Sequence, residues 1–319
     1  LRVRRRLLQL RLIGAMNEPA TLLEVVRLGH PVLRTTAEPV PDEWFGSGRL
    51  DALGRNLIRT MIEENGVGKF ADFTDEALAG IRELGTTHIW YTGVPHHALV
   101  RDYTDYGISD DDPDVIKGRA GSPYAVKDYY NVNPDLAVDP ARRLEEFEAL
   151  IERTHASGMK VIIDIVPNHV ARHYESISRP KGIEDFGASD DTSVEWARDN
   201  NFYYVVGEDF RVPEFPDDYA PLGGEPHPLV DGEFDESPAK WTGNGARSPQ
   251  PAFNDWYETV KINYGVSPEG NHDFDALPGG MDREPAAVHY DFWQGRQVPP
   301  SWKKFRDIAT ISGLIFRGY

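Results

Sequence analysis

Lys160-Val-Ile-Ile-Asp-Ile-Val-Pro-Asn-His-Val170 is the stretch that decides the fold. Val161 to Val166 is a short apolar run with no 3.6-residue period, which predicts a strand buried on both faces. Pro167 is expected to end it, because proline has no N–H to give a ladder. Upstream, Leu144, Phe147, Leu150 and Ile151 recur at helical spacing, and Gly158 is a natural stop for that helix. A helix, a glycine, a buried strand and then Asp164, Asn168 and His169 at its carboxyl end make the layout of an α/β barrel with its chemistry at that end.

Working outward, the whole chain is compatible with that reading. Its 319 residues, 40% hydrophobic and 11% aromatic, suit one large α/β domain or two smaller ones. There is no cysteine, which excludes disulfides, Cys-based zinc sites and a cysteine nucleophile. A net charge of −18 argues against nucleic acid and anionic membranes as partners and is compatible with a neutral substrate or bound cations. No run of 18 apolar residues occurs, so no membrane span is expected. Residues 1–15 oppose the overall charge, with Arg2, Arg4, Arg5, Arg6 and Arg11 and no acid. Arg11 interrupts the apolar part, so a signal peptide fits poorly; the reading is an upstream segment, with Met16 as the natural start.

Leu22–Arg34 reads as a strand and Leu50–Glu64 as an amphipathic helix. Val26-Arg-Leu-Gly-His-Pro-Val-Leu-Arg34, that helix and Glu64-Asn-Gly-Val-Gly68 resemble the amino-terminal part of a peptide deformylase. The family's metal ligands are missing, since the chain has no cysteine and no His-Glu-x-x-His. Residues 16–68 are therefore expected to be a docking or covering segment left by a gene fusion.

From Lys69 the pattern changes. Thr74 can cap a helix over Asp75–Leu84 with Gly85 as its stop, and Thr87–Gly93 then reads as a buried strand with Trp90 and Tyr91 in the core. This repeats the helix–glycine–strand unit around Lys160 and predicts parallel strands joined by right-handed crossovers. His96-His97 reads as a solvated loop pair. Arg172–Asp282 has little periodicity and is too long for a structureless loop, so it reads as an inserted lobe with short strands of its own. Trp302–Ile311 reads as a helix and Leu314–Arg317 as a possible strand.

Five pieces carry a second resemblance: Gly68-Lys-Phe-Ala-Asp-Phe73, Thr87-His-Ile-Trp-Tyr-Thr-Gly93, Gly121-Ser-Pro-Tyr124 with Asp128-Tyr129, Asp164-Ile-Val-Pro-Asn-His169, and Asn254-Asp-Trp-Tyr-Glu-Thr-Val-Lys-Ile-Asn-Tyr-Gly265. In this order and spacing they resemble the α-amylase family of glycoside hydrolases, family 13. The resemblance implies an α/β fold: a partial (β/α)8 TIM barrel over 69–169 and 283–319, with a large lobe, 170–282, inserted after the third strand. By that match Asn168 is a calcium ligand, and further ligands are sought among Asp190, Asp191 and Asp199. His169 hydrogen-bonds a sugar hydroxyl, Tyr124 stacks under the same sugar, and Asp164 is the structural partner of an arginine near the fourth strand. Calcium chemistry agrees, since the ion takes six to eight oxygens from carboxylates and amides. Asp255 and Glu258 are expected to be structural.

Retaining hydrolysis needs two carboxylates roughly 5–5.5 Å apart. In the family, the nucleophile follows a Gly-x-Arg motif that Phe316-Arg317 matches, which puts Arg317 at the substrate and the nucleophile position on Tyr319. The acid/base position has no counterpart, and a truncated or frame-shifted gene is the expected reason. An open half-barrel would expose strand edges and one side of its core, so a homo-oligomer is expected. The leading expectation is an α-amylase-like glycoside hydrolase acting on α-1,4-glucans, starch or maltooligosaccharides, without the usual catalytic carboxylates. The alternatives are a non-catalytic carbohydrate- and calcium-binding remnant, and a promiscuous metal-dependent hydrolase built on His96, His97, His155, His169 and His173.

Overall fold

The computed structural model describes residues 39–45, 48–50, 52–54, 56, 68–118, 120–214, 230–272 and 299–311. In chain order they form α1 (Asp75–Glu83), β1 (His88–Tyr91), β2 (Pro95–His97), β3 (Val126–Val132), α2 (Arg143–Ala156), β4 (Lys160–Ile163), β5 (His169–Ala171), β6 (Tyr204–Val205), β7 (Ala239–Lys240), β8 (Thr259–Lys261) and α3 (Pro300–Ile311). The expected strand at 22–34, most of the helix at 50–64, the strand at 314–317, and both Arg317 and Tyr319 lie outside the described residues.

The two helix–glycine–strand units form as their sequences dictate. The Thr74 hydroxyl accepts from Ala77 N at 3.2 Å and so caps α1. Gly85 and Gly158 follow the two helices with φ of 86° and 76°, a left-handed conformation that favours glycine. Phe147, Leu150 and Ile151 of α2 pack with Phe70, Tyr91, Val94 and Val132 in one core. β1 and β4 pair in parallel, from His88 opposite Lys160 to Tyr91 opposite Ile163. Parallel neighbours so far apart in sequence need a crossover, and α2 lies within it.

The strand at the centre of the reading is shorter and less buried than expected. β4 ends at Ile163 instead of Val166, opposite Tyr91, the last residue of β1; beyond it Tyr129 donates to Val166 O at 3.1 Å, and Tyr264 donates to Pro167 O. Only one face of the β1–β4 ribbon meets the core. Trp90 (60% exposed) and Ile162 (46% exposed), paired in register, lie on the uncovered side. Trp90 is therefore not a core residue, whereas Tyr91 is buried and its hydroxyl meets Thr154 Oγ1 at 3.0 Å. His96 and His97 are likewise not solvated. Both are buried in β2, which pairs antiparallel with β3.

Beyond β4 the strands are short and antiparallel. β5 pairs β8 with His169 opposite Lys261, and β6 pairs β7. Phe186, Phe202, Tyr204, Val260 and Ile262 pack here with Tyr129 of β3 and with Phe305 and Ile308 of α3. The buried Arg172 guanidinium holds this region together. It meets Glu236 Oε1 at 2.5 Å, donates to Tyr257 O at 2.5 Å and to Lys240 O at 3.3 Å, and lies over the Phe210 ring. α3 starts at Pro300, two residues before the expected Trp302, as proline tolerates the first helical turn. No helix among the described residues is long and apolar enough to cross a membrane.

Candidate functional site

Tyr124, Asp164, Asn168 and His169 come together from two loops and the first residue of β5. Tyr124 sits on the loop that enters β3. That loop is pinned from below: His97 Nε2 donates to Ala120 O at 2.8 Å, and Asn133 Nδ2 donates to His97 Nδ1 at 3.4 Å. Gly121 has φ of +65°, and a Cβ there would lie 1.8 Å from Ala98 O. Only glycine fits this approach.

The Tyr124 ring is 39% exposed, and its hydroxyl faces the Asp164 carboxylate. The hydrogen bond to Asp164 and that residue's negative charge raise the Tyr124 pKa above the usual phenol value. Asp164 Oδ1 is buried and has no hydrogen-bond partner. The partner expected for Asp164, Arg317, lies outside the described residues; its observed partner is Tyr124.

His169 is buried, with both ring nitrogens engaged. Asn168 Nδ2 donates to Gly243 O at 3.1 Å, which orients the amide, and lies 3.0 Å from His169 Nδ1. Nδ1 is thus the acceptor, and the hydrogen bond from the ring to the Tyr124 carbonyl runs from Nε2. Burial lowers the His169 pKa, the positive charge of Lys261 adds to this, and the Tyr124 carbonyl opposes it. The site therefore holds a neutral imidazole. The Trp256 ring meets it at 5.4 Å and 62°.

Asn168 could offer a cation its amide oxygen, since the nitrogen is committed. The acids considered as its co-ligands are used locally. Asp190 accepts from Asn201 N, Phe202 N and Tyr204 Oη, Asp191 accepts from Ser193, and Asp199 pairs with Arg198. Among the described residues no group of three or more His, Cys, Asp or Glu side chains is placed to hold a metal ion. The five histidines of the metal-hydrolase alternative do not form such a group. Asp255 accepts from Asn244 and from Ala252 N, and Glu258 pairs with Lys117 at 3.2 Å. His97 enters this site by supporting the Tyr124 loop and not as a metal ligand, and Trp256 adjoins it through the His169 ring. The buried pairing of His97 left no trace in sequence, whereas Trp256 lies inside a motif quoted above and was open to notice.

The fold and site define an α/β unit with a polar, aromatic-flanked site after its second parallel strand. Residues 63–210 match the family model of the alpha amylase catalytic domain, a span that includes Tyr124, Asp164, Asn168 and His169. This match supports a partial TIM-barrel-like α/β fold. Maltase 1 of Drosophila virilis is 29% identical over 126 residues, covering 38% of this chain and 16% of that protein. Maltase A2 of Drosophila melanogaster is 24% identical over 165 residues, covering 50% of this chain and 24% of that protein. A glycogen debranching enzyme of Klebsiella pneumoniae is 34% identical over 76 residues, covering 24% of this chain and 11% of that protein. This chain thus spans less than a quarter of the length of each of these relatives. Among solved structures, an alpha-amylase from Lactobacillus plantarum aligns with a TM-score of 0.26 and 35% identity, covering 34% of this chain and 21% of that one.

Proposed function

We propose that this chain carries the α-glucan-binding part of an α-amylase-like glycoside hydrolase, with starch or maltooligosaccharides as the ligand. One observation carries the reading: the Tyr124 ring, the Asp164 carboxylate and the His169 imidazole form one connected cluster inside the span matched by the alpha amylase model. A pyranose has an apolar face and a polar rim, and an exposed phenol ring beside a carboxylate and a histidine suits both. In this reading Tyr124 stacks under the sugar, and His169 donates from Nε2 to a sugar hydroxyl in place of the Tyr124 carbonyl. Arg317 belongs to the same substrate set, residues 170–282 are the lobe inserted after the third barrel strand, and 16–68 is the covering segment. Calcium at Asn168 is part of the proposal.

Asp164 is the carboxylate this site supplies. Retaining hydrolysis requires two, so the second reading is binding without turnover. Two measurements separate the readings. Calorimetry with maltoheptaose is expected to show binding that weakens about tenfold in Tyr124→Ala, as for loss of a stacking contact of about 1.4 kcal/mol. Reducing-sugar release from soluble starch, with and without a chelator, tests turnover, and loss of that release in Asp164→Asn would assign Asp164 to the chemistry. Absence of maltoheptaose binding by the intact chain would sink both readings.

A further inference from the structure

We propose that Trp256 is a second sugar platform, which takes the apolar face of a neighbouring pyranose of the same α-glucan; this rests on the reading just given. The indole is 45% exposed although it adjoins the buried His169 ring. The two rings meet edge to face at 62°, and nearly half of the indole stays open to solvent. Its backbone is held from both sides. Trp256 N donates to Asn244 Oδ1 at 3.1 Å, and Trp256 O accepts from Thr259 N and from Thr259 Oγ1, each at 3.0 Å.

The turn that supplies Asn244 is itself fixed. Thr242 Oγ1 donates to Asn244 Oδ1 at 2.6 Å, and Asn244 Nδ2 donates to Asp255 Oδ1 at 2.9 Å. At Gly243 a Cβ would lie 2.1 Å from Thr259 Oγ1 and 3.3 Å from His169 Cβ. Glycine there lets the turn close on both β5 and β8. Asn168 bonds the same glycine's carbonyl, so the turn that presents Trp256 also orients His169. A large apolar ring left in solvent yet fixed in place loses little conformational entropy when a ligand covers it. Tyr124, whose carbonyl bonds the His169 ring, and Trp256, whose indole meets it, thus put two exposed aromatic rings at one polar centre, which suits successive rings of an oligosaccharide better than a single sugar.

The test uses maltoheptaose and the full chain, with calorimetry and tryptophan fluorescence read together. Trp256→Ala is expected to lose tenfold or more in affinity. Trp256→Phe, which keeps an aromatic face, is expected to stay within about threefold of the wild type, while the ligand-induced fluorescence change disappears. A purely structural tryptophan would not remove that spectral change. Unaltered affinity in Trp256→Ala, or a fluorescence change that persists in Trp256→Phe, overturns the assignment and leaves the site at Tyr124 standing. If Trp256→Ala does not fold by circular dichroism, the Trp256→Phe fluorescence decides. Failure of the wild type to bind maltoheptaose overturns the underlying function as well.

Discussion

His96 and His97 are neighbours in sequence with opposite fates. The His97 ring bonds a carbonyl and an amide and so holds the Tyr124 loop, whereas His96 Nδ1 is buried with no partner. Burial first, and then the positive charges of Lys127, His97 and Arg143, together lower the His96 pKa from 6.5 to about 3. The unfolded imidazole takes its proton near 6.5 and the folded one only near 3. Stability from neutral His96 is therefore complete above that window and is lost on acidification, by about 1.4 kcal/mol per pH unit within it. Asp111 and Asp128 oppose this, because burial raises their pKa values and makes the fold the better proton acceptor. The difference between wild type and His96→Gln isolates the histidine. The cost of that substitution in urea unfolding is expected to shrink as pH falls from 7 to 5; a cost independent of pH would refute the account. The pair reads as a solvated loop in sequence because three residues are too few to show a strand period. By contrast Asp164, Asn168, His169 and Tyr124 were legible as a group, since their motifs keep order and spacing.

At the scale of elements, the loop from Gly121 to Tyr124 is the part most sensitive to change. Alanine at 121 would put its Cβ 1.8 Å from Ala98 O on a backbone at φ +65°. Gly107, at φ +72°, faces open space. Gly107→Ala is expected to cost about 1 kcal/mol from backbone strain alone, and Gly121→Ala roughly 3 kcal/mol or more, because the loop must also move. Thermal unfolding ranks the two, and maltoheptaose binding should fall only in Gly121→Ala, because that loop carries Tyr124. Equal costs would mean the contact with Ala98 is readily relieved. The helices were readable because Thr74, Gly85 and Gly158 are end signals with a mechanism. The length of β4 was not, since an apolar run does not say which of its faces will be covered. β6 and β7, two residues each, carry no period at all.

At the scale of the whole molecule, Trp90 and Ile162, paired in register, expose an apolar strip on the β1–β4 ribbon. We carry the homo-oligomer as a proposal attached to this strip, with a second copy as its occupant. Sedimentation velocity is expected to show concentration-dependent association that Trp90→Ser weakens; a single monomer species at every concentration would end it. The motif order that marks the barrel-like half was legible along the chain, but the partners of Arg172 were not, because they lie 64 to 87 residues away. That distance has a kinetic consequence. Arg172 waits for Glu236 and Lys240, and β5 waits for Thr259 to Lys261, so the loop entropy must be spent before those contacts repay it. During synthesis, α1, β1, α2 and β4 can associate first, while the guanidinium of Arg172 stays in water until the ribosome has released the chain past Glu236.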